Sequence, residues 1–349
     1  MGDSLGDQIK IDEIDAKILT MLLAESRTSF TDIANECNTT VTSIRMHYKR
    51  LWKYGVVNGE QMLVNPQCLG YHHIVDLGIT TTVENEKEVA KFLEGKPYIS
   101  EMVSPAAKYN FLGKVALKDL NTLGEIIEDL ESNPNIKHVD ALIWAQAVNI
   151  EYPQNLIIRP LDSSDERKNS QMPALTNNYQ ASVEIDETDR EIAKILSRES
   201  RTPFLKIAEQ LKISTKTVIR RYSKLRENLL PFSTIAVNLN KLGYRSLANI
   251  YIKVSKRSKM SEVCSQLLQI PNLIVVIRYI GPYDLYSAIA LEDFDRMFEA
   301  HDKIRAINGI ETADVFLTRM VPSWPLNLFP SLLENETLKP KYWAVEPKE

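Results

Sequence analysis

Long apolar runs are missing from this 349-residue sequence: nowhere do eighteen apolar residues follow one another, so no membrane-spanning helix is expected. The opening Met1-Gly2-Asp3-Ser4-Leu5-Gly6 has neither a basic flank nor an apolar core, and is not read as an export signal. Position 6 also lacks the Ser or Thr of a myristoylation site. Cysteine is scarce. Cys37, Cys68 and Cys264 lie too far apart in sequence for a metal-type pair and read as ordinary buried thiols of a reducing cytoplasm. Five histidines are scattered: His72 and His73 open one expected strand, His138 opens another, and His301 sits on an expected helix. None has metal-ligand spacing or a partnered nucleophile, so neither a metal, a cofactor nor an enzymatic centre is expected.

A positive excess is also absent, the formal net charge being −4. Taken over the whole chain this argues against nucleic acid, but the whole chain is the wrong scale. Between Thr40 and Lys53 stand Arg45, Lys49, Arg50 and Lys53 with no carboxylate. Between Lys206 and Arg226 stand seven cations against Glu209 alone. Charge gathered on a short segment is the footprint of phosphate contact. The 44% hydrophobic and 25% charged shares are those of a globular protein, long enough for two to four domains.

An internal repeat organises the chain. Ile11-Asp12-Glu13-Ile14-Asp15 returns as Ile185-Asp186-Glu187-Thr188-Asp189, and Glu25-Ser26-Arg27-Thr28 as Glu199-Ser200-Arg201-Thr202. Leu69-Gly70-Tyr71 returns as Leu242-Gly243-Tyr244, and Tyr109-Asn110 as Tyr283-Asp284. A near-constant offset over so long a stretch indicates duplication. The polar stretch between the copies has linker composition. About 30 flexible residues span roughly 30 Å, enough for the copies to pair within one chain or to exchange with a second.

Each copy opens with three short helices. In the first, Ile14, Ile18, Leu19 and Leu22 carry a helical period behind Asp12 as N-cap; Ser29 opens a second helix and Thr40 a third, with Ile44, Tyr48 and Leu51 inward. The second copy repeats this with Ser214 capping a helix that buries Val218, Tyr222 and Leu225. This is a helix-turn-helix pattern whose third helix would enter the major groove. The residues expected outward, and so on DNA, are Thr42, Ser43, Arg45, His47, Lys49 and Arg50 in copy 1, and Lys216, Thr217, Arg220, Arg221 and Lys224 in copy 2. A merely solvated basic face is the competing reading.

The run Ile185-Asp186-x-x-Asp189, Ile195-Leu196, Ser200-Arg201-Thr202, Ile207-Ala208 and Ser214-x-x-x-Val218-x-Arg220-Arg221-x-x-x-Leu225 resembles the N-terminal domain of the Lrp/AsnC family of bacterial and archaeal regulators. Copy 1 adds that family's closing signature, Leu51 with Tyr54-Gly55-Val56-Val57. Two departures put a copy's DNA contacts in doubt: Glu227-Asn228-Leu229-Leu230, where glycine is usual, and Thr39-Thr40, where a Leu-Ser-like pair is usual.

After each reader the expected order is strand, helix, strand, strand, helix, strand: a ferredoxin-like βαββαβ sensor with helices on one face. The helix stripes read Leu120, Leu123, Ile127 and Leu130 in copy 1, and Phe294, Met297, Phe298 and Ile304 in copy 2. Val115 and Leu117, or Leu285 and Ile289, would be wet on the other face, so sheet-to-sheet pairing of the two units is expected. This order resembles the family's effector domain, whose glycine-x-aromatic-aspartate turn helps line a small-molecule pocket between subunits. Copy 2 has Gly281-Pro282-Tyr283-Asp284; copy 1 has Ala107-Lys108-Tyr109-Asn110, without the glycine and the carboxylate. Gly281, Tyr283 and Asp284 are therefore expected to bind an effector such as an amino acid, with copy 1 altered or silent.

The expected architecture is α+β, two tandem copies of a winged or plain helix-turn-helix three-helix domain plus a ferredoxin-like sensor. The divisions are 1–60 and 61–151 for copy 1, a linker at 152–183, 184–235 and 236–322 for copy 2, and a tail at 323–349 with exposed-looking Trp324, Phe329 and Trp343. Expected partners are double-stranded DNA, a small effector and further copies of the chain, in the cytoplasm and away from membranes. Two readers about 34 Å apart, or a multiple of that, would meet an imperfect palindrome. The resemblance also touches sirohaem decarboxylases of the same architecture, which is the enzymatic alternative. A sensor or assembly module without DNA binding is the other, and would show little salt dependence.

Overall fold

The computed structural model describes residues 10–103, 108–145, 150–161, 184–334 and 341–343. Reader 1 comprises α1 (Glu13–Ala24), α2 (Phe30–Glu36) and α3 (Val41–Lys53), followed by β1 (Val57–Leu63). Sensor 1 comprises β2 (His73–Thr81), α4 (Glu86–Glu94), β3 (Ile99–Val103), β4 (Phe111–Leu117), α5 (Thr122–Glu131) and β5 (Ile136–Trp144). Copy 2 repeats them: α6 (Glu187–Arg198), α7 (Phe204–Leu211), α8 (Thr215–Glu227) and β6 (Phe232–Val237), then β7 (Ser246–Val254), α9 (Met260–Leu267), β8 (Leu273–Ile280), β9 (Leu285–Leu291), α10 (Phe294–Arg305) and β10 (Ile310–Arg319). A short β11 (Lys341–Trp343) lies parallel to β3. No helix among the described residues is long and apolar enough to cross a membrane.

The helices start where capping side chains stand. Asp12 and Asp186 each accept a hydrogen bond from the backbone N–H three residues on and form a full capping box. Ser29, Thr40 and Ser214 cap α2, α3 and α8 in the same way, each cap contributing about 1 kcal/mol. Thr40 therefore does the work of the expected serine. In the turn of each reader one residue takes the left-handed conformation, Asn38 at φ 49° and Lys212 at φ 54°. Asparagine visits that region readily, whereas lysine does so at a cost of about 1 kcal/mol. Copy 1 then turns at Gly55, φ 67°, while copy 2, lacking that glycine, buries Leu229 and Leu230.

The two copies exchange contacts inside the one chain. β1 and β6, which the sequence pattern did not announce, pair antiparallel with Glu60 opposite Ile235. Ile18, Leu19 and Leu22 of α1 pack on Ile235 and Val237 of the other copy, and Ile192 and Leu196 of α6 pack on Met62 and Val64 of the first. Burying each such side chain stabilises by about 1.5–3 kcal/mol, so each reader is held by its sister's strand.

Each sensor sheet has ferredoxin-like order, β3-β4-β2-β5 and β8-β9-β7-β10, and the two join where β5 meets β8 at Ile143 opposite Ile280. The helix-free faces meet, as expected, but through other residues than expected. Val115 and Leu117 face α4 and α5, and Leu285 and Ile289 face α9 and α10. The meeting face carries Ile74, Leu142 and Trp144 from one sheet and Tyr251, Ile277 and Tyr279 from the other. At its centre Asp76, 1% exposed, accepts hydrogen bonds from Lys114 and Trp144 of its own sheet and from the Tyr279 hydroxyl across the interface.

Further expectations need correction. Phe294 and Phe298 are 65% and 57% exposed; α10 buries Ala300 and Ile304 with Met297 half-buried, because the core stripe runs at 297, 300 and 304. Leu120 precedes α5 and is exposed, while Ile126 of α5 joins Leu123 and Leu130 in the core. Trp324 and Phe329 are buried rather than exposed: Trp324 exchanges backbone hydrogen bonds of 2.8 and 2.9 Å with Val237. Residues Tyr152–Leu161, expected as linker, are packed in the same manner: Tyr152 N–H donates to the Ile274 carbonyl, and Leu156 and Ile158 join the core under α1. The cysteines are half-buried, and burial pushes the Cys68 thiol up to about 11.

Candidate nucleic-acid interface

The frame of each reader uses its acids before anything is left for a ligand. Asp15 and Asp189, the third residues of the capping boxes, have no solvent exposure at all. A carboxylate so placed needs a cation or several donors beside it. In reader 1, Arg50 of α3 pairs with both Asp12, at 3.0 Å, and Asp15, and His47 Nδ1 stands 2.9 Å from Asp15. In reader 2, Arg221 of α8 reaches Asp186 and Asp189 at 2.6 and 2.7 Å, and Lys224 reaches Asp189 at 2.9 Å. Burial works against the charge on Arg50, yet Asp15 and Asp12 hold its pKa above the ordinary value. Hydrogen bonds to Asp186, then Asp189, do the same for Arg221. Conversely, Arg221 and the Asp189 N–H hold the Asp186 carboxyl below its usual range.

Four of the residues expected on DNA pair with carboxylates at the start of the first helix. His47, Arg50, Arg221 and Lys224 point along the seam between first and third helix, with the imidazole, guanidinium and ammonium groups against carboxylates at the start of α1 and α6. Positions 47 and 50, like 221 and 224, flank the apolar stripe rather than oppose it. Ser43 and Thr217 are half-buried in the first turn, where their backbone N–H groups donate to the capping Thr40 and Ser214 hydroxyls. The remaining expected residues do face solvent: Thr42, Arg45 and Lys49 on α3, and Lys216 and Arg220 on α8. Beside them stand two exposed apolar side chains, Met46 at 62% and Ile219 at 46%.

What holds the two faces in fixed relation is the repeated Glu-Ser-Arg-Thr run. The Ser26 and Ser200 hydroxyls, one repeat apart in sequence, meet at 2.6 Å. Arg27 reaches across to the carbonyls of Ser200 and Thr202, and Arg201 reciprocally to those of Ser26 and Thr28. Each guanidinium also covers rings of the opposite reader, Arg27 over Phe204 at 4.3 Å and Arg201 over Phe30 at 4.5 Å. The arrangement is a pseudo-twofold clasp between readers. Its sequence signal was in plain view: a tetrapeptide identical in the two copies. Glu25 with Arg226, 2.7 Å apart, adds a contact on one side only.

The expected effector residues occupy the β8–β9 turn against sensor 1. A Cβ on Gly281 would lie 2.6 Å from the Ala141 carbonyl oxygen, so only glycine fits. The Tyr283 hydroxyl donates to Asp314 at 2.9 Å, and Asp284 accepts the Val254 N–H at 3.0 Å. In copy 1 Asn110 accepts the Thr81 N–H at 2.9 Å, the same task; Ala107 lies outside the described residues. Asp12, Asp15 and His47 converge closely enough to hold a cation, but Arg50 already lies between the two carboxylates.

Residues 185–226 match the model of an AsnC-type helix-turn-helix domain, and residues 11–58 that of a winged helix-turn-helix DNA-binding domain. The HTH-type transcriptional regulator FL11 of Pyrococcus furiosus is 32% identical over 128 residues, 36% of this chain and 84% of the relative. FL11 of Pyrococcus abyssi is 35% identical over 130 residues, 37% of this chain and 85% of the relative. A match of about a third of this chain to most of a relative is what one unit of a duplication gives. The crystal structure of the sirohaem decarboxylase NirDL superposes over 92% of this chain and 96% of its own with TM-score 0.60, at 14% identity. That likeness is one of fold, and it extends over both units.

Proposed function

The chain belongs to the Lrp/AsnC family of transcriptional regulators, and from that premise we propose that one chain supplies both halves of a DNA-reading pair. It is a DNA-binding regulator. The finer reading is that α3 and α8 enter successive major grooves, with Arg45, Lys49, Lys216 and Arg220 on bases and phosphates and Thr42 on the backbone. The observation that carries it is the reciprocal Arg27–Arg201 clasp, which sets two solvent-facing cationic helices at one spacing without a second chain. Because the two faces differ, the preferred site has unequal halves. A small effector such as an amino acid is assigned to the Gly281–Asp284 turn, and further association of chains, with action in the cytoplasm, goes with the family reading.

Binding of the full chain to genomic fragments, followed by fluorescence anisotropy over a salt series, tests this. The logarithm of the affinity is expected to fall linearly with the logarithm of salt, with a slope set by the phosphates contacted. No salt-dependent binding to any fragment would remove the reading. Calorimetric titration with amino acids tests the effector, and no heat from any of them counts against that assignment.

A further inference from the structure

The reading faces of the two copies can be aligned position by position, because the repeat offset places residue 45 on 219 and residue 46 on 220. Copy 1 there has Arg45-Met46; copy 2 has Ile219-Arg220. The same two exposed positions hold a guanidinium and an apolar side chain in opposite order. Neither apolar residue belongs to a core cluster: Met46 is 62% and Ile219 46% exposed. Scattered exposed hydrophobics are ordinary on a protein surface. These two are not scattered. Each lies in the second turn of its helix beside an exposed arginine, Met46 about 200° round the helix from the buried Ile44 and Ile219 about 100° from the buried Val218.

The major groove offers one apolar feature, the 5-methyl group of thymine, and a matched guanidinium acceptor pair on guanine. Resting on the DNA-binding reading above, we propose that Met46 and Ile219 seat on thymine methyls while Arg45 and Arg220 read guanines, in opposite order in the two half-sites. Neighbouring helix positions differ by about 100° and 1.5 Å, so exchanging the pair moves the guanidinium to a different base step. The two halves then differ in where guanine and thymine stand, not merely in strength.

Selection of the full chain against a randomised duplex library, then replacement of thymine by deoxyuridine in one half at a time, tests this. Deoxyuridine removes the methyl and nothing else. The expected result is a site with unlike halves, and about a fourfold loss of affinity for each contacted methyl removed. In the double variant Arg45→Ile/Met46→Arg, which copies the order of reader 2, the selected halves should converge. Met46→Ala should lose the deoxyuridine effect in its own half while its unfolding temperature stays unchanged, since the side chain is exposed. Identical selected halves, or affinity within twofold on deoxyuridine in both halves, would overturn the inference while leaving DNA binding intact. Failure to bind any duplex would instead strike the function proposed above, and this inference with it.

Discussion

The two readers solve one electrostatic problem with different side chains. Each must neutralise a fully buried aspartate at the third position of its first helix. Reader 1 does so from the third turn of α3 with Arg50; reader 2 does so from the second turn of α8 with Arg221, Lys224 assisting. The guanidinium has moved one turn along the helix, yet the acid it serves has not moved. The buried carboxylate is thus the fixed element, and basic residues on a recognition helix divide into those that hold the frame and those left over for DNA. Counting cations along the helix overstates the second set.

The sharpest way to break this comparison is to remove the acid. Asp15→Ala and Asp189→Ala each delete a capping-box partner and leave a cation without its counter-charge, and each is expected to cost about 2–4 kcal/mol. Chemical denaturation of the full chain reads this. Equal, negligible losses in both variants would mean that the ion pairs are incidental. The next effect divides frame from face. Arg45→Ala is expected to weaken DNA affinity by about 1–3 kcal/mol with unfolding unchanged. Arg50→Ala is expected to lower stability first, and to alter DNA affinity only as far as α3 shifts. Parallel anisotropy and thermal melts on the two variants separate these outcomes; the reverse pattern would return Arg50 to the DNA face.

Much of this was legible in the sequence because local rules act within a few residues. Capping aspartates, serines and threonines stand where the helices start, and each sensor has the expected order of strand, helix, strand, strand, helix, strand. Contacts made across the repeat were not legible. The β1–β6 pairing depends on which copy a strand meets, and nothing in Val57–Leu63 alone states that. Trp324 was misjudged for the same reason, since its burial is provided by Val237 of a distant strand. On α3 and α8, flank and front of the helix differ by about 100°, enough to set a basic side chain against the first helix rather than in open solvent.

The sensors repeat the lesson at smaller scale. The change from Asp284 to Asn110 between copies reads as the loss of a ligand carboxylate, yet both side chains accept one backbone N–H from the end of the first sensor strand. Asparagine keeps a carbonyl oxygen for that purpose. Asp284→Asn is therefore expected to leave stability within about 0.5 kcal/mol of the starting chain. Measured beside it, the heat of amino-acid binding isolates the charge: the structural task survives the substitution, so any heat lost belongs to the carboxylate. A large fall in melting temperature would show instead that copy 2 needs the negative charge to hold its turn, and the equivalence with Asn110 would fail.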